Sequence, residues 1–222
     1  AGLSCAALFI IGIRAAPALL TGCVIVTFWT DYQYDLALSH LQLLQAGLLF
    51  GVAHILSYYA GARVLRFIAN AGVFNLPLFV VGFLLISAIT SLLATISGIS
   101  ALVVTNMMSL DAVFDTWLPF WVGDMAGVMV IAPLFSGLLA VLYPAPKFVL
   151  EDYMGTQQRI ASNNYKYKIL INITLITLTM LLAKYTQAPE SAFAVFFLVI
   201  PHMWIAATES AFFTALSVAI TS

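Results

Sequence analysis

Asp124 lies inside an apolar run that holds Trp117 to Pro133 and continues to Tyr143. An ionised acid deep in lipid costs from about 3 to about 10 kcal/mol unless it faces protein or water. A carboxylate at such a place can bind a cationic or hydrogen-bonding ligand, or switch helix packing by taking up a proton. It can also be structural, held by hydroxyls, His or Arg of neighbouring helices. His54 and His202 are the other ionisable side chains placed well inside apolar segments. Either could partner Asp124 or act as a pH-sensitive element, and either could be a hydrogen-bonded core histidine. With Asp124 they show no His-x-x-x-His spacing, so no metal site is expected. Trp117 and Trp121, four residues apart, could roof an outer cavity or sit in an interfacial aromatic belt.

Around Asp124, Gly123 and Gly127 share one helical face and would let another helix approach closely. Pro133 would kink the helix that carries them. Cys5 and Cys23 both fall in apolar stretches and read as small core residues, not as a disulfide. No phosphate-cradling glycine loop, Ser/His/Asp arrangement or zinc-protease helix motif is present. No catalytic residue and no cofactor is therefore expected.

These residues need apolar helices to position them, and the composition supplies them. Of 222 residues, 63% are hydrophobic and 8% charged, with a net charge of −1. Soluble domains carry about 25% charged residues. The mean hydropathy, +1.07, agrees with an integral membrane protein. Repeated apolar runs of near-spanning length make it an all-α, polytopic helix bundle, not a barrel. There is no basic patch for nucleic acid.

About eight spans are expected. The first, 2–13, ends at a break marked by Gly12, Arg14 and Pro17, and the second runs over 15–30 to Trp29. A loop at 31–36 leads to the most polar span, 37–61, which holds His40, Gln42, Gln45, His54, Tyr58 and Tyr59. Arg63, Arg66 and an Asn-Ala-Gly turn at 70–72 follow. The run 74–108 would reach roughly 50 Å as a helix, against about 30 Å of hydrocarbon. It must tilt, break near Gly98 or begin on the surface. A loop at 109–116 with Asp111 and Asp115 precedes the Asp124 span, 117–143. The long polar loop 144–168 opens with Pro144 and Pro146 and carries Lys147, Glu151, Asp152, Arg159, Lys166 and Lys168. Spans at 167–183, at 191–207 with a break at Pro201-His202, and at 211–222 complete the set. A loop at 184–190 with Lys184, Pro189 and Glu190 joins the first two of these. The runs Phe9 to Val26 and Met203 to Ile220 share a shape, which two similar helix hairpins explain better than a duplication.

Arg14, Arg63/Arg66 and the Lys147–Lys168 group fall at alternate connections, with Lys184 the exception. The basic connections are therefore expected in the cytoplasm. Asp124 would then lie roughly 10 Å below the outer interface at 1.5 Å per residue.

The stretch Phe120-Trp-Val-Gly-Asp-Met-Ala-Gly-Val-Met-Val-Ile-Ala-Pro133 resembles the signature of the MASE family, type one. Trp121, Gly123, Asp124, Gly127, Ala132 and Pro133 match its pattern. Gly2, Gly12, Arg14 and Pro17 fit its opening hairpin, and Pro201 and Trp204 its ending. Thr208-Glu209-Ser210 departs from it, standing where family members often have an Arg or a Phe-Gly turn. The resemblance implies a bacterial membrane-associated sensor domain of the kind found N-terminal to diguanylate cyclases, phosphodiesterases and histidine kinases. On that basis residues 1–222 form one sensor domain cut at both ends, with an output domain beyond Ser222, in the bacterial inner membrane. The expected partners are membrane lipid and a small-molecule ligand, and a second copy could pair through the output domain. The alternative from another class is a small-molecule transporter or substrate-binding membrane subunit, with helices broken near Pro17, Gly98 and Pro201.

Overall fold

A computed structural model describes residues 1–35, 38–69, 76–142, 164–186 and 199–221. The chain forms two compact units, Ala1–Val149 and Leu150–Ser222. The described residues contain helices and no strand.

The first unit begins with α1, Gly2–Ile10, a nine-residue helix buried along most of its length. Gly12 has φ +82°, a left-handed value that only glycine adopts without strain. It turns the chain into a short 3-10 turn, Gly12–Ala15, and then into α2, Ala16–Tyr34, with Pro17 in its first turn. Pro17 costs nothing there, because the first helical N–H groups have no partner in any case. Helix α3, His40–Ala69, starts from a capping box. The backbone N–H of Ser39 donates to Gln42 Oε1 at 3.0 Å, and that of Gln42 to Ser39 Oγ at 3.3 Å. Helix α4 is Leu76–Val104 and α5 is Leu110–Leu142.

Helix α3 lies at the centre, packed against α1, α2 and α4, while α5 packs on α1 and α4. Small residues set these approaches. A Cβ on Gly47 would come 2.9 Å from the Val24 Cα of α2, and one on Gly51 2.6 Å from Leu20 Cδ1. A Cβ on Gly61 would overlap Thr90 of α4. Without an aqueous hydrophobic drive between helices in lipid, such close van der Waals contact holds them together.

The second unit contains α6, Tyr165–Thr186, α7, Val199–Thr208, and α8, Ala211–Thr221. These helices touch one another, with α8 against both α6 and α7.

Several sequence expectations need correction. Among the described residues, five helices are long and apolar enough to cross a membrane: Gly12–Tyr34, His40–Ala69, Leu78–Val104, Leu110–Leu139 and Tyr165–Thr186. The expected count of about eight also takes in the regions of α1, α7 and α8, of which 9, 10 and 11 residues are described as helix. Helix α4 runs unbroken through Gly98. That glycine makes room for Phe50, whose ring would lie 2.9 Å from an added Cβ. The expected loop 109–116 is helical from Leu110, because Ser109 caps the turn and Asp111 favours the positive end of the helix. Asp31 belongs to α2, Arg63 and Arg66 to α3, and Lys166 and Lys168 to α6. Pro201 lies within α7, not at a break. The turn at 70–72, loop residues 144–163, Pro189, Glu190 and residues 191–198 lie outside the described residues.

Candidate functional site

Helix α5 carries Asp124 14 residues past its start at Leu110, roughly 21 Å along the axis. The expected span begins seven residues later, at Trp117. The side chain is half-buried and turned toward the bundle. Tyr58 of α3 donates its hydroxyl to Asp124 Oδ2 at 2.9 Å. The same hydroxyl lies 3.3 Å from Ser91 Oγ of α4. Tyr58 is completely buried, with no solvent-exposed area. Because it gives its one proton to the carboxylate, its oxygen is left to accept from Ser91. One contact therefore ties α3, α4 and α5 at a single level.

Aromatic rings extend this contact. His54, one turn before Tyr58, lies edge-on to its ring with centroids 4.7 Å apart. Phe50, a turn earlier still, stacks on His54 at 5.8 Å. His54 is thus one ring removed from the acid, and Tyr58 takes the place of a histidine partner. Trp121 donates its indole N–H to the Ala88 carbonyl of α4 at 3.0 Å, pinning α5 to α4 one turn from Asp124. Trp117 stacks on Trp121 with centroids 6.4 Å apart and is the more exposed of the two.

The two glycines beside Asp124 differ. A Cβ on Gly123 would meet nothing within 4 Å. Gly127 faces α1: a Cβ on Gly2 would overlap the Gly127 carbonyl oxygen, and one on Gly127 would lie 3.8 Å from Ala1 Cβ. Helix α5 continues through Pro119 and Pro133. Neither proline can donate, so the Asp115 and Met129 carbonyls lose their usual helical partner. At the far end of α1, Arg66 of α3 donates from Nε to the Phe9 carbonyl at 2.6 Å and from a terminal nitrogen to the Leu8 carbonyl at 3.2 Å. It thereby caps carbonyls that the end of α1 would otherwise leave open.

The second unit holds a separate polar cluster. Lys168 of α6 pairs with Glu209, at the α7–α8 junction, at 2.5 Å, with their side chains 5% and 1% exposed. Lys168 also donates to Thr208 Oγ1 at 2.7 Å and lies 5.4 Å from the centre of the Trp204 ring. His202 Nε2 is 3.1 Å from Asn172 Nδ2 and 2.8 Å from Thr221 Oγ1. Tyr165 donates to the Phe213 carbonyl at 3.0 Å.

Sequence reasoning singled out Asp124 but missed Ser91 and read Tyr58 only as a polar interruption. It assigned Lys168 to a loop and Glu209 to a turn. Position 58 could have been found from its place on the same helical row as His54. Among the described residues, no group of three or more His, Cys, Asp or Glu could hold a metal ion.

The family model for MASE1 matches residues 1–222, the whole chain. No curated protein and no solved structure matches it.

Proposed function

The chain belongs to the MASE1 family of membrane-associated sensor domains, and from that premise we propose that it is the sensory input domain of a bacterial signalling receptor. Its parent would carry a cyclase, phosphodiesterase or kinase output domain in the cytoplasm. Asp124 is the proposed sensing residue, with Trp117 and Trp121 on its outer side and His54 behind Tyr58. The stimulus is a small ligand that binds the carboxylate, or a membrane change that moves α5. Gly127 lets α5 and α1 touch directly, and Pro133 leaves α5 a weak point beyond the acid. The basic connections are proposed to face the cytoplasm of an inner-membrane, multi-pass protein, and dimerisation is assigned to the output domain.

The single observation that carries this function is the Asp124–Tyr58–Ser91 contact. A change at the carboxylate, whether a proton or a bound cation, alters the acceptor that Tyr58 serves. It therefore acts on α3, α4 and α5 together. A differential of a few kcal/mol between two packings suffices to shift their populations almost completely.

The test is Asp124→Asn in the full-length receptor, with output activity measured across a panel of small cationic and polar compounds and across membrane compositions. Loss of the response, with protein level and thermal midpoint retained, is expected. A response identical to that of the unmodified receptor removes Asp124 from sensing.

A further inference from the structure

Phe50, His54 and Tyr58 stand at four-residue intervals on α3 and so share one helical row. Both outer members of the row reach the seam between α4 and α5. Phe50 packs over Gly98 of α4 and edge-on to Phe120 of α5, with centroids 6.2 Å apart. Tyr58 meets Ser91 of α4 and Asp124 of α5. His54, between them, is held toward the same seam at a level of α4 between Ser91 and Gly98. Thr95 stands at that level, four residues after Ser91 and three before Gly98, close to one face with both.

His54 is 7% exposed and Thr95 1%. Neither His54 Nδ1 nor Thr95 Oγ1 has a hydrogen-bond partner among the described residues. Thr95 departs here from most hydroxyls of its helix. Ser87, Thr90, Ser97 and Ser100 each donate to the carbonyl one turn back, at 2.6 to 2.7 Å. That is the usual way a hydroxyl is satisfied inside an apolar helix. Thr95 leaves that bond unmade, and His54, between the two points where its row meets α4, has an unpartnered Nδ1.

We propose that His54 and Thr95 hold a buried water molecule in the seam of α3, α4 and α5. The Thr95 hydroxyl donates to the water, and the water donates to His54 Nδ1. Both orphaned atoms are then satisfied, as buried waters satisfy polar groups elsewhere. The arrangement requires a neutral His54 ring with its proton on Nε2. It adds a second polar station one turn from the Asp124–Tyr58–Ser91 contact.

The test uses the full chain in lipid nanodiscs. Thr95→Val and His54→Phe are each expected to lower the thermal midpoint by a few degrees. The double variant should fall no further than the worse single one, because both changes remove the same bridge. Thr95→Ser, which keeps the hydroxyl, should stay near the unmodified chain. An unchanged or raised midpoint for Thr95→Val, or shifts that add, overturns the bridge, since a bare hydroxyl is better replaced by a methyl. Water-to-ring magnetisation transfer in ring-¹⁵N-labelled, otherwise unmodified protein decides the matter independently of any variant's folding. A non-protonated Nδ1 in contact with water is expected, and a His54 ring that receives no transfer overturns the bridge. These readouts concern hydration alone, so their failure leaves the sensory role of Asp124 standing.

Discussion

The acid of the first unit and the acid of the second are held in opposite ways. Glu209 faces Lys168 at 2.5 Å, and both side chains are almost fully buried. Asp124 is half-buried and is held by the hydroxyl of Tyr58, a neutral donor. A buried ion pair has already met its desolvation cost through its partner, and losing either member leaves a bare charge. A carboxylate held by a neutral hydroxyl can accept a proton or a cation without breaking an ion pair. The first arrangement fixes a geometry, whereas the second leaves room for a response.

The sharpest way to break this contrast is Glu209→Gln. It removes the anion that faces the Lys168 cation and should cost about 3 to 5 kcal/mol in thermal or denaturant unfolding. Lys168→Met combined with Glu209→Leu should recover most of that loss. A single variant as stable as the unmodified protein would show that the pair is not closed. Next comes Tyr58→Phe, which removes the donor to Asp124 and should cost about 1.5 to 3 kcal/mol if the carboxylate is ionised. A loss nearer 1 kcal/mol would mark a neutral acid. Asp124→Asn retains an acceptor for Tyr58, so its unfolding midpoint should move by less than the equivalent of about 1 kcal/mol. A collapse on the scale of Glu209→Gln would place Asp124 among the fixed, structural acids. A change similar in size to that of Asp124→Asn is expected from Trp121→Phe, which removes the bond to the Ala88 carbonyl and should cost about 0.5 to 1.5 kcal/mol. A larger loss there would mean that the indole, more than the acid, joins α5 to α4.

Much of the fold was legible in the sequence because lipid demands long apolar runs, and such runs announce helices. The turn at Gly12 and Pro17 could be read from residue types alone, since few others fit a positive φ and a first helical turn. The start of the Asp124 helix was misplaced for a local reason. Asp111 and Asp115 resemble a loop by polarity, yet an acid just after a serine cap favours a helix start. Gly98 was open to misreading because a helical glycine can mark a break or a contact, and only the Phe50 ring across the interface decides. Lys168 and Glu209 are 41 residues apart, so no periodicity links them. Tyr58 lies 66 residues from Asp124, and their meeting depends on how α3 and α5 are arranged around α4.

Where Gly2 meets Gly127, two helical backbones touch with no side chains between them. Side-chain layers are what allow neighbouring helices to slip by exchanging rotamers, and here only Ala1 and Ile131 flank the backbone contact. A displacement of α5 near its acid must therefore carry α1 with it, as one gear tooth carries the next. The far end of α1 is gripped by Arg66 through the Leu8 and Phe9 carbonyls, so the same motion is delivered to the last turns of α3.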